Sequence, residues 1–193
     1  MISQALVQYI QKVLPMPLEK AELIASKFAL KEFEKGDFLI KEGKISNTLY
    51  FLEEGCVRSY ILDADGDEVT TAVFMQNTTV NNLISFFKRQ PSKENFQTLG
   101  DAKTYFLSYE DLQASFHGIP EFRELGRMML INNYSQLKDR MLAMVQLTAE
   151  QRYLNLIESK PDIFQQVPLK MLATYLGITD TSLSRIRKDL AKK

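Results

Sequence analysis

Between residues 33 and 108, glycine and aspartate punctuate the chain at short, regular intervals, and this spacing leaves few folds open. β-rich runs at 38–41, 49–52, 57–62, 69–74 and 104–108 alternate with the turn signals Lys35-Gly-Asp37, Glu42-Gly-Lys44, Glu53-Glu-Gly55 and Asp63-Ala-Asp-Gly-Asp67. Branched and aromatic side chains suit the pleated, half-buried strand, and Gly and Asp take the turn conformations that end it. Strands at intervals of about ten residues predict a β-sandwich or a jelly-roll-like barrel. Helical periods flank this region on both sides, so the predicted class is α+β.

Before the β-rich region, helices are predicted over 3–13 and 18–28, separated by the break at Pro15 and Pro17. Leu18, Leu23 and Ile24 give the second one a partial apolar stripe. After the region come a short helix over about 109–116 and a long one over about 121–147. The long helix carries Leu125, Met128, Met129, Leu130, Ile131, Leu137, Met141, Met144 and Val145, more than one stripe. Either all of it is buried within one subunit, or one stripe packs on the β-region and another meets a second chain. Its length and the lack of a partner helix favour the second, and Asn132 and Asn133 are placed to fix register between two copies. Thr148 with Gln151 forms a capping box for a further helix. That helix carries Tyr153, Leu154, Leu156 and Ile157 and ends near Lys160-Pro161.

Residues 169–188 then predict helix, tight turn, helix. Ala173 is small enough for close approach of two helices, and Gly177 takes a positive φ without steric cost. Leu183 and Ile186 are spaced to face back on Leu172 and Leu176. The second helix, about 180–190, keeps one face free for a DNA major groove. Charge supports this: residues 168–193 carry a net +4, which leaves −4 on the rest of a chain whose total is zero.

Composition removes several alternatives. The single cysteine, Cys56, rules out a disulfide within the chain and any zinc or iron–sulfur site built on cysteines. The single histidine, His117, rules out a centre built on several histidines; its setting in Ser115-Phe-His-Gly-Ile-Pro120 marks a helix end or surface position. No catalytic or metal-binding set emerges. With 45% hydrophobic and 25% charged residues, no apolar run of about 18, and a start that lacks the pattern of a signal peptide, a soluble cytoplasmic protein is expected, without a membrane partner.

The order of these segments resembles the Crp–Fnr regulators: a cyclic-nucleotide-binding-type β-roll, a dimer helix and a C-terminal helix-turn-helix. Phe33-Glu-Lys-Gly-Asp-Phe-Leu-Ile-Lys-Glu-Gly43 and Leu49-Tyr-Phe-Leu-Glu-Glu-Gly-Cys-Val57 carry the likeness, with Thr98-Leu-Gly-Asp-Ala-Lys-Thr-Tyr-Phe-Leu-Ser108 and Thr179-Asp-Thr-Ser-Leu-Ser-Arg-Ile-Arg-Lys188. It implies a sensor domain over 1–120, a dimerisation helix over 121–147 and a helix-turn-helix domain over 148–193. The implied partners are double-stranded DNA, a second copy of the chain, RNA polymerase and an unknown small-molecule effector.

Two departures stand out. The family's nucleotide site opens with Gly-Glu-Leu and places an Arg some ten residues later; here the positions hold Asn81-Asn82-Leu83 and Ser92. Each lost charge-assisted bond costs about 1.5–3 kcal/mol. Cyclic nucleotide in the usual mode is therefore not expected, and no cofactor is assigned. Asn81, Asn82, Leu83, Ser92 and Lys93 remain the candidate effector pocket. A short helix over about 82–88 offers amides to an anion, and Arg89 or Lys93 replaces the missing Arg if the loop folds differently. Phe86 and Phe87 read as core rather than as a second pocket. The second departure is the wing, expected to be reduced or absent: three residues follow the recognition helix and about ten separate Lys160 from Leu169.

On that helix, Thr179 is the expected N-cap, and Asp180, Thr181, Ser182 and Arg185 occupy the first turns. Arg185 is the residue type that bonds guanine in bidentate fashion, and it matches the family's base-reading Arg. Asp180 and Thr181 replace the family's Arg-Glu pair, so the target sequence differs. Ser182, Ser184, Arg187 and Lys188 are candidates for phosphate contact. The rival from another class is a ligand-binding or scaffold protein whose C-terminal helices are structural. A metal-dependent cupin enzyme shares the β-roll shape, but one histidine does not build its centre.

Overall fold

The structure is a computed structural model that describes residues 2–192. Two N-terminal helices, α1 (Gln4–Val13) and α2 (Leu18–Ala25), precede strands β1 (Ala29–Phe33), β2 (Phe38–Ile40), β3 (Thr48–Glu54), β4 (Cys56–Leu62), β5 (Glu68–Met75) and β6 (Thr78–Val80). A short helix α3 (Leu83–Lys88) leads to β7 (Asn95–Thr98) and β8 (Ala102–Ser108). The chain ends in α4 (Tyr109–Gly118), α5 (Pro120–Gln146), α6 (Ala149–Ser159), α7 (Ile163–Gln166), α8 (Leu169–Tyr175) and α9 (Asp180–Leu190). The fold is α+β, with the strands in two four-stranded antiparallel sheets ordered β1-β8-β3-β6 and β2-β7-β4-β5.

Three cores follow from the two-residue period of the strands. Between the sheets lie Phe33, Ile40, Tyr50, Leu52, Val57, Val80 and Phe96. Alternate residues of the first sheet, Leu49, Phe51, Tyr105 and Leu107, face outward and are covered by Leu6 and Ile10 of α1, Leu112 of α4, and Phe122 and Leu125 of α5. On the far side, Cys56 and Val73 of the second sheet share a core with Leu172, Ala173, Leu176 and Leu183. The β3–β4 turn needs glycine: Gly55 has φ +102, and a Cβ there would stand 2.7 Å from the Asp101 carbonyl oxygen.

α5 buries only Phe122 and Leu125, both near its start. Leu130, Ile131, Tyr134, Leu137, Met141 and Val145 along the rest are exposed. The capping box at Thr148 and Gln151 is present. The stretch after Pro161 forms the one-turn helix α7 rather than a plain connection, and no strand follows β8 among the described residues. No helix there is long and apolar enough to cross a membrane.

Candidate nucleic-acid interface and β-roll pocket

α8, the turn at Gly177 and α9 form the expected helix pair. Leu172, Ala173, Leu176 and Leu183 close its core, with Ile186 packed against them. Gly177 has φ +69, and the Met144 methyl group of α5 sits where its Cβ would stand. Thr179 caps α9: its Oγ1 accepts the Ser182 amide at 3.3 Å and bonds the hydroxyls of Thr181 at 3.0 Å and Ser182 at 2.9 Å. Asp180, Ser184, Arg185, Arg187 and Lys188 are exposed, as are Thr179, Thr181 and Ser182. All eight singled-out residues thus reach solvent from one helix and its cap; Thr181 and Arg185 lie far around the helix from its buried Leu183, whereas Asp180 and Arg187 flank it.

The helix pair does not hang free of the β-roll. α8 lies along β5, where the Thr70 amide donates to Thr174 Oγ1 at 3.1 Å. Arg140 of α5 bridges the two elements. It donates to the Thr71 carbonyl and, through Nη2, to the Tyr175 carbonyl at 3.1 Å, while its guanidinium stacks 4.2 Å from the Tyr175 ring centre. A register shift frees Thr71 for this: Ser59 pairs with Ala72 and Tyr60 with Thr70. Arg152 donates to the Leu176 carbonyl at 3.1 Å and the Leu147 carbonyl at 2.7 Å, tying α6 to the turn. Burial in this shared core pushes the Cys56 thiol up to about 12.

Inside the roll, the candidate anchor positions are engaged with one another. Asn82 Oδ1 accepts the Ser85 amide at 3.0 Å, capping α3, and its Nδ2 donates to Ser92 Oγ at 3.0 Å and Glu94 Oε2 at 3.4 Å. Thr71 Oγ1 donates to Glu94 Oε1 at 2.5 Å and bonds Ser59 Oγ at 2.7 Å. Asn82 and Ser92 therefore meet, but around a carboxylate that repels a phosphate. Glu94 is not conspicuous in the sequence; its place two residues past Ser92 is its only signal. Lys93 stays on the surface. Arg89 is committed elsewhere: it donates to the Ser46 carbonyl at 3.1 Å and to Asn47, and lies 4.3 Å from the Tyr109 ring centre. Asn81 and Leu83 instead line a separate cavity of about 480 Å³ between the helices and the first sheet. Phe86 is fully buried core, whereas Phe87 and His117 reach that cavity.

Residues 30–117, from β1 through α4, match the cyclic nucleotide-binding domain. Over 167 residues the chain is 25% identical to the fumarate and nitrate reduction regulatory protein of Vibrio cholerae, covering 81% of this chain and 66% of that protein. The chain thus spans about two thirds of that relative's length. FixK2 from Bradyrhizobium japonicum shares the fold with a TM-score of 0.72 at 17% identity, covering 86% of this chain and 85% of that one. The c-di-GMP responsive global regulator CLP of Xanthomonas campestris does so with a TM-score of 0.71 at 17% identity, covering 91% and 92%. A β-roll of cyclic nucleotide-binding type, a long helix and a C-terminal helix pair follow one another in this chain. The chain shares the fold of these two regulators, and its residues 30–117 are similar to the cyclic nucleotide-binding domain.

Proposed function

We propose that this protein regulates transcription as a homodimer that binds a near-palindromic DNA site. The observation that carries the proposal is α9, whose Asp180, Thr181, Ser182 and Arg185 stand exposed on its first turns while Leu183 anchors the helix in the core. Two such helices, held about 34 Å apart by paired α5 helices, reach successive major grooves on one side of the duplex. Arg185 reads guanine, and Ser184, Arg187 and Lys188 hold phosphates. The β-roll takes no cyclic nucleotide through the usual anchors, because the Glu94 carboxylate occupies the centre of the network that Asn82, Thr71 and Ser92 form.

Selection of binding sites from random duplexes, followed by gel-shift titration at fixed salt, tests this. Arg185→Ala is expected to cost about tenfold to a hundredfold on the selected site and to relax preference at one base pair per half-site. An unchanged preference removes Arg185 from base reading. Absence of any DNA affinity at low salt overturns the proposal as a whole.

A further inference from the structure

The interior of the roll is closed by its own side chains, but the cavity outside the first sheet is open. We propose that this cavity binds an amphipathic carboxylate, with an unbranched hydrocarbon chain in its body and the carboxylate at Arg123 and His117. At about 480 Å³ it falls within the roughly 300–1,000 Å³ range of small-molecule sites. Leu6, Ile10, Leu49, Leu107, Phe122 and Leu125 form its walls, so an alkyl chain entering it leaves water for an apolar surface.

Charge selects the class of ligand. No Asp or Glu lines the cavity, whereas Arg123, Arg127 and His117 do. Glu124 holds Arg127 through bonds of 2.9 Å and 2.5 Å, which neutralises it. Arg123 makes no ion pair among the described residues; its Nη1 donates to the Phe116 carbonyl near the end of α4 at 3.2 Å, and it lines the cavity together with His117. A guanidinium with no carboxylate partner at the edge of an apolar space suits a carboxylate and repels a cationic head group.

The cavity meets the exposed stripe of α5 only at Leu130. Phe122, Leu125, Gly126, Met129 and Asn133 line it, on one face of that helix, while Tyr134, Leu137 and Met141 do not.

The full chain is titrated calorimetrically with decanoate, decanol and decyltrimethylammonium, each below its micelle concentration. Decanoate is expected to saturate at one per chain, at least tenfold tighter than decanol, and the cationic amphiphile is expected not to bind. Arg123→Ala removes the decanoate advantage, a loss of about tenfold or more, and leaves decanol unchanged. Gln113→Trp fills the rim and blocks both; Met129→Trp serves if that variant does not fold. Equal affinity for decanoate and decanol, binding that survives both blocking variants, or no saturable binding overturns the proposal. So does binding that appears only after Leu137→Glu breaks the α5 stripe, since a second copy then covers the cavity. No arm involves DNA, so failure here leaves the DNA-binding proposal standing, and the reverse.

Discussion

Cys56 is the residue at which the β-roll and the helix pair share one core. It is 2% exposed, its sulfur lies 3.7 Å from the Met75 sulfur, and it belongs to one buried cluster with Val73 of β5, Leu172 of α8 and Leu183 of α9. The thiolate is the species that reacts with disulfide reagents. Burial moves the thiol from an ordinary 9.0 to about 12, so at a given pH near 8 the native chain holds about a thousandfold less thiolate than the unfolded one. Reaction with an aromatic disulfide reagent at pH 8 is therefore expected to be slow in the native protein and fast in denaturant. A native rate within tenfold of the denatured rate shows that this core does not close. At this scale the sequence was uneven as a guide. Thr179, Ala173 and Gly177 declared their roles because capping, close packing and positive φ each restrict residue type. Glu94, Arg140 and Arg123 did not, because each acts through partners distant in the chain, and nothing local in their surroundings marks them.

α5 shows the same contrast for whole elements. Leu130, Tyr134, Leu137, Met141 and Met144 recur at the 4-3-4-3 spacing of a coiled-coil seam, and all five are exposed. At this spacing Asn132 and Asn133 fall beside the stripe rather than in it, and Asn133 lines the cavity. Leu137→Glu places like charges across the seam of the proposed homodimer. By sedimentation it is expected to halve the mass, and at fixed protein concentration to weaken binding to a two-half-site duplex by about a hundredfold. A variant that stays dimeric removes α5 from the interface. The length of this helix was readable because its helical period persists across its whole span, and the five β-runs were readable from alternation and turns. β1, β6 and β7 were not. β1 exposes four of its five residues, and β6 and β7 span three and four. Such strands are defined by the neighbour they pair with rather than by a pattern of their own. α7 was hidden for a similar reason: a single turn between Pro161 and Pro168 is too short to show a period.

Across the whole molecule, one line of contacts joins the roll interior to the C-terminal helix pair. Asn82 holds Glu94, Glu94 accepts from Thr71, the Thr71 carbonyl accepts from Arg140, and Arg140 grips Tyr175 of α8. Arg140 is the only member that touches the roll, the long helix and the helix pair together. The apolar core around Leu172 and Ala173 also holds the helix pair to β5, so Arg140 is not its sole attachment. Hydrogen bonds from a charged group are worth about 1.5–3 kcal/mol each, and a stacked guanidinium adds about 0.5–1 kcal/mol at a partly exposed site. These contributions are not additive, because they share one side chain and one geometry. Arg140→Ala is accordingly expected to favour separation of the helix pair from the roll without unfolding either part. Cys56, sealed between them, reports it: its labelling rate at pH 8 rises about tenfold to a hundredfold while the thermal midpoint moves by only a few degrees. Arg140→Lys keeps the charge but not the planar fork that spans two carbonyls, so its rate falls between those of the wild type and the alanine variant. If alanine leaves the rate unchanged, the apolar contact between β5 and α8 alone holds the helix pair in place, and the line through Thr71 carries no coupling.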